Sequence, residues 1–218
     1  MRNRFETELS ELNLELVKMG SQIENAIDCA VLSLVNKDEE MADKAINIDL
    51  GIDKTERDIE RHCLRLLLQQ QPVARDLRQI STALKMITDM ERIGDQASDI
   101  ALLAKRIMKE PYLKTLEIIP IMANKTKEMV KSSVDAYVNS DEELAKAAIL
   151  KDDEIDELFV TIRNELVELI IKDKNASDLA MDLLMIAKYF ERIGDHAENI
   201  AEWVIFSITG VHKNHTII

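Results

Sequence analysis

Residues that break helices are scarce in this chain, with five glycines and three prolines in 218 residues. Long, uninterrupted elements follow from that shortage. Aromatic residues are also few, at 4%, while Leu, Ile, Ala, Met, Glu and Lys dominate. This is the composition of a helical bundle. No basic stripe is visible and the net charge is −13, which argues against nucleic acid as a partner. The same charge disfavours an anionic membrane surface, and favours cations or a basic face on a protein partner. Cysteine is limited to Cys29 and Cys63. They lie far apart among apolar residues, outside any CxxC pattern, and read as small buried side chains in a reduced, cytoplasmic protein. Residues 1–10 are charged and lack the apolar core of a secretion signal. The longest uncharged apolar stretch near the C-terminus covers residues 203–211, far short of the roughly 20 residues that span a bilayer. The familiar catalytic patterns are missing too. There is no GxxxxGK[ST] loop, no HExxH, no GxSxG and no Glu-x-x-His of the ferritin-like di-iron plan. No nucleophile with a base can be argued, so the chain is not expected to be an enzyme.

What the chain does have is a repeat. Glu91-Arg92-Ile93-Gly94-Asp95 recurs as Glu191-Arg192-Ile193-Gly194-Asp195, and Ala97, Ile100 and Ala101 return as Ala197, Ile200 and Ala201. Upstream, Asp38, Ala42, Ala45, Asp49, Ile52 and Asp53 correspond to Asp141, Ala145, Ala148, Asp152, Ile155 and Asp156 at an offset of 103 residues. Two homologous halves follow, residues 1–110 and 111–218.

Punctuation and apolar periodicity predict six long antiparallel helices, an all-α protein of two tandem three-helix bundles. The expected helices cover residues 4–35, 36–70, 73–109, 112–138, 141–172 and 176–207. Asn36 with Glu39, and Ser140 with Glu143, have capping-box spacing. Pro120 either kinks the fourth helix or begins it. Residues 210–218 are expected to be loose. Stripes such as Met86, Met90, Ile93, Ala97, Ile100, Ala104 and Ile107 mark the core faces.

Beside these stripes run carboxylates. Glu91, Asp95 and Asp99 are spaced i, i+4, i+8, and Asp49 and Asp53 form a second pair. The other half repeats the plan with Asp152, Asp156, Glu191 and Asp195, and carries Asn199 where the third carboxylate would be. Like charges at i, i+4 destabilise a helix by a few tenths of a kcal/mol (~0.2–0.5). A hard divalent or trivalent cation would remove that penalty, and several carboxylates around one groove could hold more than one ion. Gly94 and Gly194 each cost about 1 kcal/mol in mid-helix relative to alanine. They lie between the acids, where a missing side chain lets a helix or an ion come close; Gly51, between Asp49 and Asp53, reads the same way. The plain alternative is a solvated acidic face, with Arg57 neutralising Asp53 and Lys188 neutralising Glu191. His196 replaces Gln96 of the first copy and reads as exposed or facing a partner. His212 and His215 form a weak HxxH. Arg75, Asp76 and Arg78 either complete the turn after Pro72 or contact a partner.

The doubled ERIGD, continuing as Asp195-His196-Ala197-Glu198-Asn199-Ile200-Ala201-Glu202, resembles the PhoU family of phosphate-uptake regulators. The resemblance covers both repeats, the turn from Pro72 to Arg78 and the chain length. It implies two three-helix bundles in tandem. It also implies metal bound at E/D-xxx-D motifs, matched here by Asp49/Asp53, Glu91/Asp95, Asp152/Asp156 and Glu191/Asp195. In some members these hold multinuclear iron clusters, and in others no metal is seen, so iron or another divalent cation is expected. Asn199 makes the second site less acidic. The implied role is a cytoplasmic, non-enzymatic and often homodimeric negative regulator of phosphate uptake and of phosphate-starvation genes. It would act with the ATPase subunit of the phosphate ABC transporter and a phosphate-sensing histidine kinase. The residues alone leave open a metal-dependent hydrolase with clustered ions, or a metal-free helical scaffold.

Overall fold

Leucine, isoleucine, alanine and methionine at spacings of three and four give each long helix one apolar face, and burying those faces builds the protein. The computed structural model describes residues 2–70, 72–110, 117–213 and 215–216. Among these, seven α-helices form six rods: α1 (Arg2–Asn36), α2 (Glu39–Gln70), α3 (Ala74–Ile107), α4 (Ile119–Asn139), α5 (Glu142–Ile149), α6 (Asp152–Lys172) and α7 (Ser177–Thr209). Neighbours run antiparallel because the connections are short.

The fold class is as expected, but several boundaries differ. The capping side chains are Asp38, which accepts from the Met41 amide at 3.2 Å, and Asp141, which accepts from the Leu144 amide at 3.0 Å. Asn36 and Ser140 do not play that part. Lys37 and Ser140 take up left-handed backbone conformations, with φ of 56° and 52°. That geometry ends the preceding helix and moves the cap one or two residues along. The expected single helix over residues 141–172 is two, α5 and α6. Around Leu150 and Lys151 the ladder tightens to three-residue bonds, Lys151 N–H to Ala148 and Glu154 N–H to Lys151, which interrupts the helix without reversing it. Pro120 lies in the first turn of α4, so it begins the helix rather than kinking it. The expected helical stretch at residues 112–116 lies outside the described residues. The C-terminal segment is more ordered than expected. Gly210 closes α7 with φ of 79°, and Val211–His212 pairs antiparallel with His215–Thr216.

The helices α1, α2 and α3 pack on one another, as do α4, α5, α6 and α7. Between these groups α1 packs on α4 and α3 on α7. The α3–α7 pair is antiparallel. Arg78 Nε donates to the Ser207 carbonyl at one end, the Arg106 guanidinium pairs with Asp182 at the other, and His196 Nδ1 lies 2.7 Å from Asp89 Oδ1 between them. The expected core residues are buried, and one continuous apolar cluster runs through both groups. Both cysteines are buried and free. This arrangement leaves α2 and the α5–α6 rod on the two outer flanks. No described helix is long and apolar enough to cross a membrane.

Candidate metal centre

The grooves of interest lie between each flanking rod and its neighbour, α2 against α3 and α6 against α7. Glycine sets their depth. A Cβ built on Gly94 would lie 2.9 Å from Asp49 Oδ1 and 3.0 Å from Ile52 Cδ1. On Gly194 it would lie 2.7 Å from Asp152 Oδ1 and 3.2 Å from Ile155 Cδ1. The repeated glycines therefore let an aspartate of one helix press against the backbone of the next. Gly51 does no such work, since a Cβ there would meet only the Gln22 amide nitrogen at an ordinary 3.5 Å.

In the first groove, Asp49, Asp53 and Asp95 each offer an oxygen, and the three oxygens lie within 4.8 Å of one another. Asp49 Oδ1 is buried with no hydrogen-bond partner. Burial, then the charges of Asp95 and Asp53, push Asp49 up to about 6, while the nearby Ser98 hydroxyl pulls the other way. Glu91 is also raised, chiefly by burial and then by Asp95. Arg92 is the local counter-charge, 2.9 Å from Asp95 and 3.4 Å from Glu91. Arg57 makes no ion pair with Asp53 among the described residues. An orphaned buried oxygen next to two more carboxylates, with glycine clearing the approach, is a donor set that fits a hard divalent cation.

The second groove repeats the plan with altered chemistry. Asp152 Oδ1 is again buried and without a partner. Burial pushes Asp152 up to about 7, with Glu198 the next cause, then Asp156, Asp195 and Glu191. Glu198 is itself raised, by burial first and then by Glu202. It was not singled out in the sequence because its repeat partner is Ser98, and strict comparison of the halves passes over it. The signal that could have found it is its i+7 spacing from Glu191. Cations of the chain stand at this groove: Lys188 pairs with Glu191, as its spacing suggested, and Lys213 lies 2.7 Å from Glu202. Among the described residues no three ligand oxygens of this half converge as they do in the first.

The third row positions point elsewhere. Position i+8 is rotated about 80° round the helix from position i. Asp99 thus leaves the row and faces Tyr189 of α7, whose hydroxyl is raised by burial and then by that charge. Asn199 accepts from Lys213 Nζ at 3.4 Å. His196 is half-buried and engaged with Asp89 rather than exposed. His212 stacks on Trp203 with ring centroids 3.9 Å apart, and the side chain of His215 lies outside the described residues. Arg78 ties α3 to α7, which its position at the turn did not reveal.

The two halves also match the PhoU domain separately, at residues 16–104 and 119–204. A phosphate-specific transport system accessory protein PhoU homolog of Clostridium acetobutylicum is 41% identical over 210 residues, covering 96% of each chain. A homolog of the same name from Pseudomonas aeruginosa is 33% identical, with 97% of this chain and 88% of its own length matched. The crystal structure of PhoU from Pseudomonas aeruginosa superposes with a TM-score of 0.90 at 33% identity, covering 95% of this chain and 100% of that one. That of the phosphate transport system regulatory protein PhoU from Streptococcus pneumoniae gives 0.88 at 28% identity, with 95% and 98% covered. These names describe accessory and regulatory proteins rather than enzymes, in line with the missing catalytic motifs. With both repeats matched and the fold shared from end to end, the chain belongs to the PhoU domain family.

Proposed function

We propose that this protein is a non-enzymatic negative regulator of phosphate-specific transport and of phosphate-starvation signalling. The observation that carries the reading is the 41% identity, over nearly the whole of both chains, to a relative named as an accessory protein of that transport system. The protein restrains the phosphate ABC transporter through its ATPase subunit and acts with a phosphate-sensing histidine kinase. It works in the cytoplasm as a homodimer. The acidic surface, net charge −13, suits docking on basic patches of such partners, where complementary charge raises association rate and specificity.

Asp49, Asp53, Glu91 and Asp95 hold a divalent cation in the first groove, iron being one choice. Asp152, Asp156, Glu191, Asp195 and Glu198 form the weaker counterpart. The bound cation supplies positive charge to carboxylates that burial and mutual repulsion otherwise disfavour. The orphaned oxygens of Asp49 and Asp152 support this role. The basic side chains beside the clusters, Arg92, Lys188 and Lys213, are already paired with Glu91 and Asp95, Glu191, and Glu202, which speaks against a phosphate clamp and the hydrolase alternative.

The test is a phosphate-starvation promoter reporter in a deletion strain grown in rich phosphate. The reporter should be on, and should be silenced by the wild-type gene. A reporter that stays silent in the deletion strain, with normal phosphate uptake, rejects the regulatory reading. Elemental analysis of protein purified without chelator addresses the cation separately. The Glu91→Ala/Asp95→Ala variant should carry less metal than the wild type.

A further inference from the structure

We infer that the chain has a cation site of a different kind, outside the carboxylate grooves, where the start of α1 meets the end of α2. Glu8, Glu11 and His62 would bind one divalent transition-metal ion such as Zn2+ there. The site does not belong to the repeated plan, since the residue at the repeat position of His62 is Glu165.

Glu8, Glu11 and Glu15 follow one another at spacings of three and four, which puts them on one face of α1. His62 of α2 turns toward that face, and its side chain is 3% exposed. Nδ1 of the ring lies 2.9 Å from Oε2 of Glu15, and Nε2 lies 3.3 Å from Oε2 of Glu8. One oxygen each from Glu8 and Glu11 and a ring nitrogen of His62 lie within 4.8 Å of one another.

A neutral imidazole has one N–H and one lone pair. The shorter contact takes the N–H, so Nδ1 donates to Glu15. Nε2 then turns a lone pair toward a carboxylate oxygen of Glu8, in a buried position where two facing acceptors are costly. A positive centre is required between them, either a second proton on the ring or a metal ion. The proton would serve Glu8 alone. The ion would also use the Glu11 oxygen already within reach. A carboxylate that fixes the tautomer through the far nitrogen is the usual support for a metal-binding histidine, and Glu15 stands in that place. One imidazole with two carboxylates suits zinc or a neighbouring transition ion better than calcium or magnesium. Such an ion would pin the first turns of α1 to the last turns of α2.

The probe is Zn2+ added to the full chain, read by NMR of 15N-labelled imidazole rings. The resonances of His62 are assigned by elimination, with His196, His212 and His215 each replaced by Gln. With Zn2+ bound, His62 should keep a proton on Nδ1 and carry none on Nε2. Zn2+ should then shift Nε2 selectively. Glu8→Gln/Glu11→Gln changes only side chains that reach solvent and should weaken that response at least about tenfold, or roughly 1.4 kcal/mol. Asp49→Asn/Asp95→Asn should leave it intact. A ring protonated on both nitrogens and indifferent to excess Zn2+ would overturn the inference, as would an undiminished response in the Glu8/Glu11 variant.

Discussion

Asp49 and Asp152 are carboxyls placed where ionisation is costly, and the folded chain binds their protons more tightly than the unfolded chain does. Their folded values are about 6 and about 7, against an ordinary aspartate value of about 3.9. Between the ordinary and the raised values the native state holds more protons, so their contribution to stability is present at low pH and is lost as pH rises through that window. Metal-free Asp49→Asn/Asp152→Asn protein should therefore melt a few degrees (~2–4 °C) above the wild type at about pH 8, and no higher at about pH 4. Thermal unfolding followed by circular dichroism at both pH values checks this. Added Mg2+ should raise the wild type's melting temperature more than the variant's, because binding in the grooves needs the ionised carboxylates. The glycines give a second measurement. Gly94→Ala and Gly194→Ala gain helix propensity of about 1 kcal/mol but bring a methyl to 2.9 and 2.7 Å from an aspartate oxygen. Overpacking costs about 1–3 kcal/mol, so urea denaturation should show both variants to be net destabilised. A stabilised Gly194→Ala would contradict the close-packing account. This role was legible in the sequence because the glycine recurs at the same place in both halves, whereas Gly51, also between two acids but replaced by Glu154 in the second half, keeps no close contact. Glu198 was legible only in its i+7 spacing from Glu191, since the repeat that pointed to its neighbours shows serine at the equivalent position.

Helix ends and breaks were harder to read than helix faces. Periodicity located the buried faces because a wrong face would expose a whole stripe. The caps depended on one dihedral angle each. Asn36 and Ser140 have capping-box spacing, yet Lys37 and Ser140 adopt positive φ, and the capping falls to Asp38 and Asp141. Asp141→Ala should therefore destabilise the protein by about 1 kcal/mol, whereas Ser140→Gly should stabilise it by about 0.5–1 kcal/mol by relieving the left-handed conformation. Chemical denaturation of the two variants distinguishes this from capping by Ser140, which would make the Ser140 change the harmful one. The interruption at Leu150 and Lys151 had no warning in composition, as neither glycine nor proline is there. It makes Asp152 the first residue of α6, at the electropositive end of the helix, whereas Asp49 is well inside α2.

At the scale of the molecule, the doubled sequence made tandem bundles legible, but not how the bundles meet. The α3–α7 contact adds single polar pairs to its apolar packing, such as Asp89 with His196 and Arg78 with Ser207, and these residues break the repeat instead of following it. Because one apolar cluster runs through both halves, they should unfold together. The only tryptophan, Trp203, lies in α7 and reports the second half, while far-ultraviolet circular dichroism reports all the helices. The two denaturation curves should coincide, and an earlier fluorescence transition would show the halves to be independent. The way the halves face one another has a further consequence. The helix α1 lies on its counterpart α4, and α3 runs antiparallel along its counterpart α7, so the copies meet like the protomers of a two-fold dimer. In a true dimer every substitution appears twice and the two clefts must stay identical. Joining the copies into one chain removes that constraint. Serine could become glutamate at 198 while 98 stayed serine, and aspartate could persist at 99 opposite asparagine at 199. A single polypeptide can thereby own two unequal carboxylate clefts, one where three oxygens converge and the other attended by its own lysines. With cations in both, as proposed, such a pair fills in a fixed order, which two identical sites cannot do.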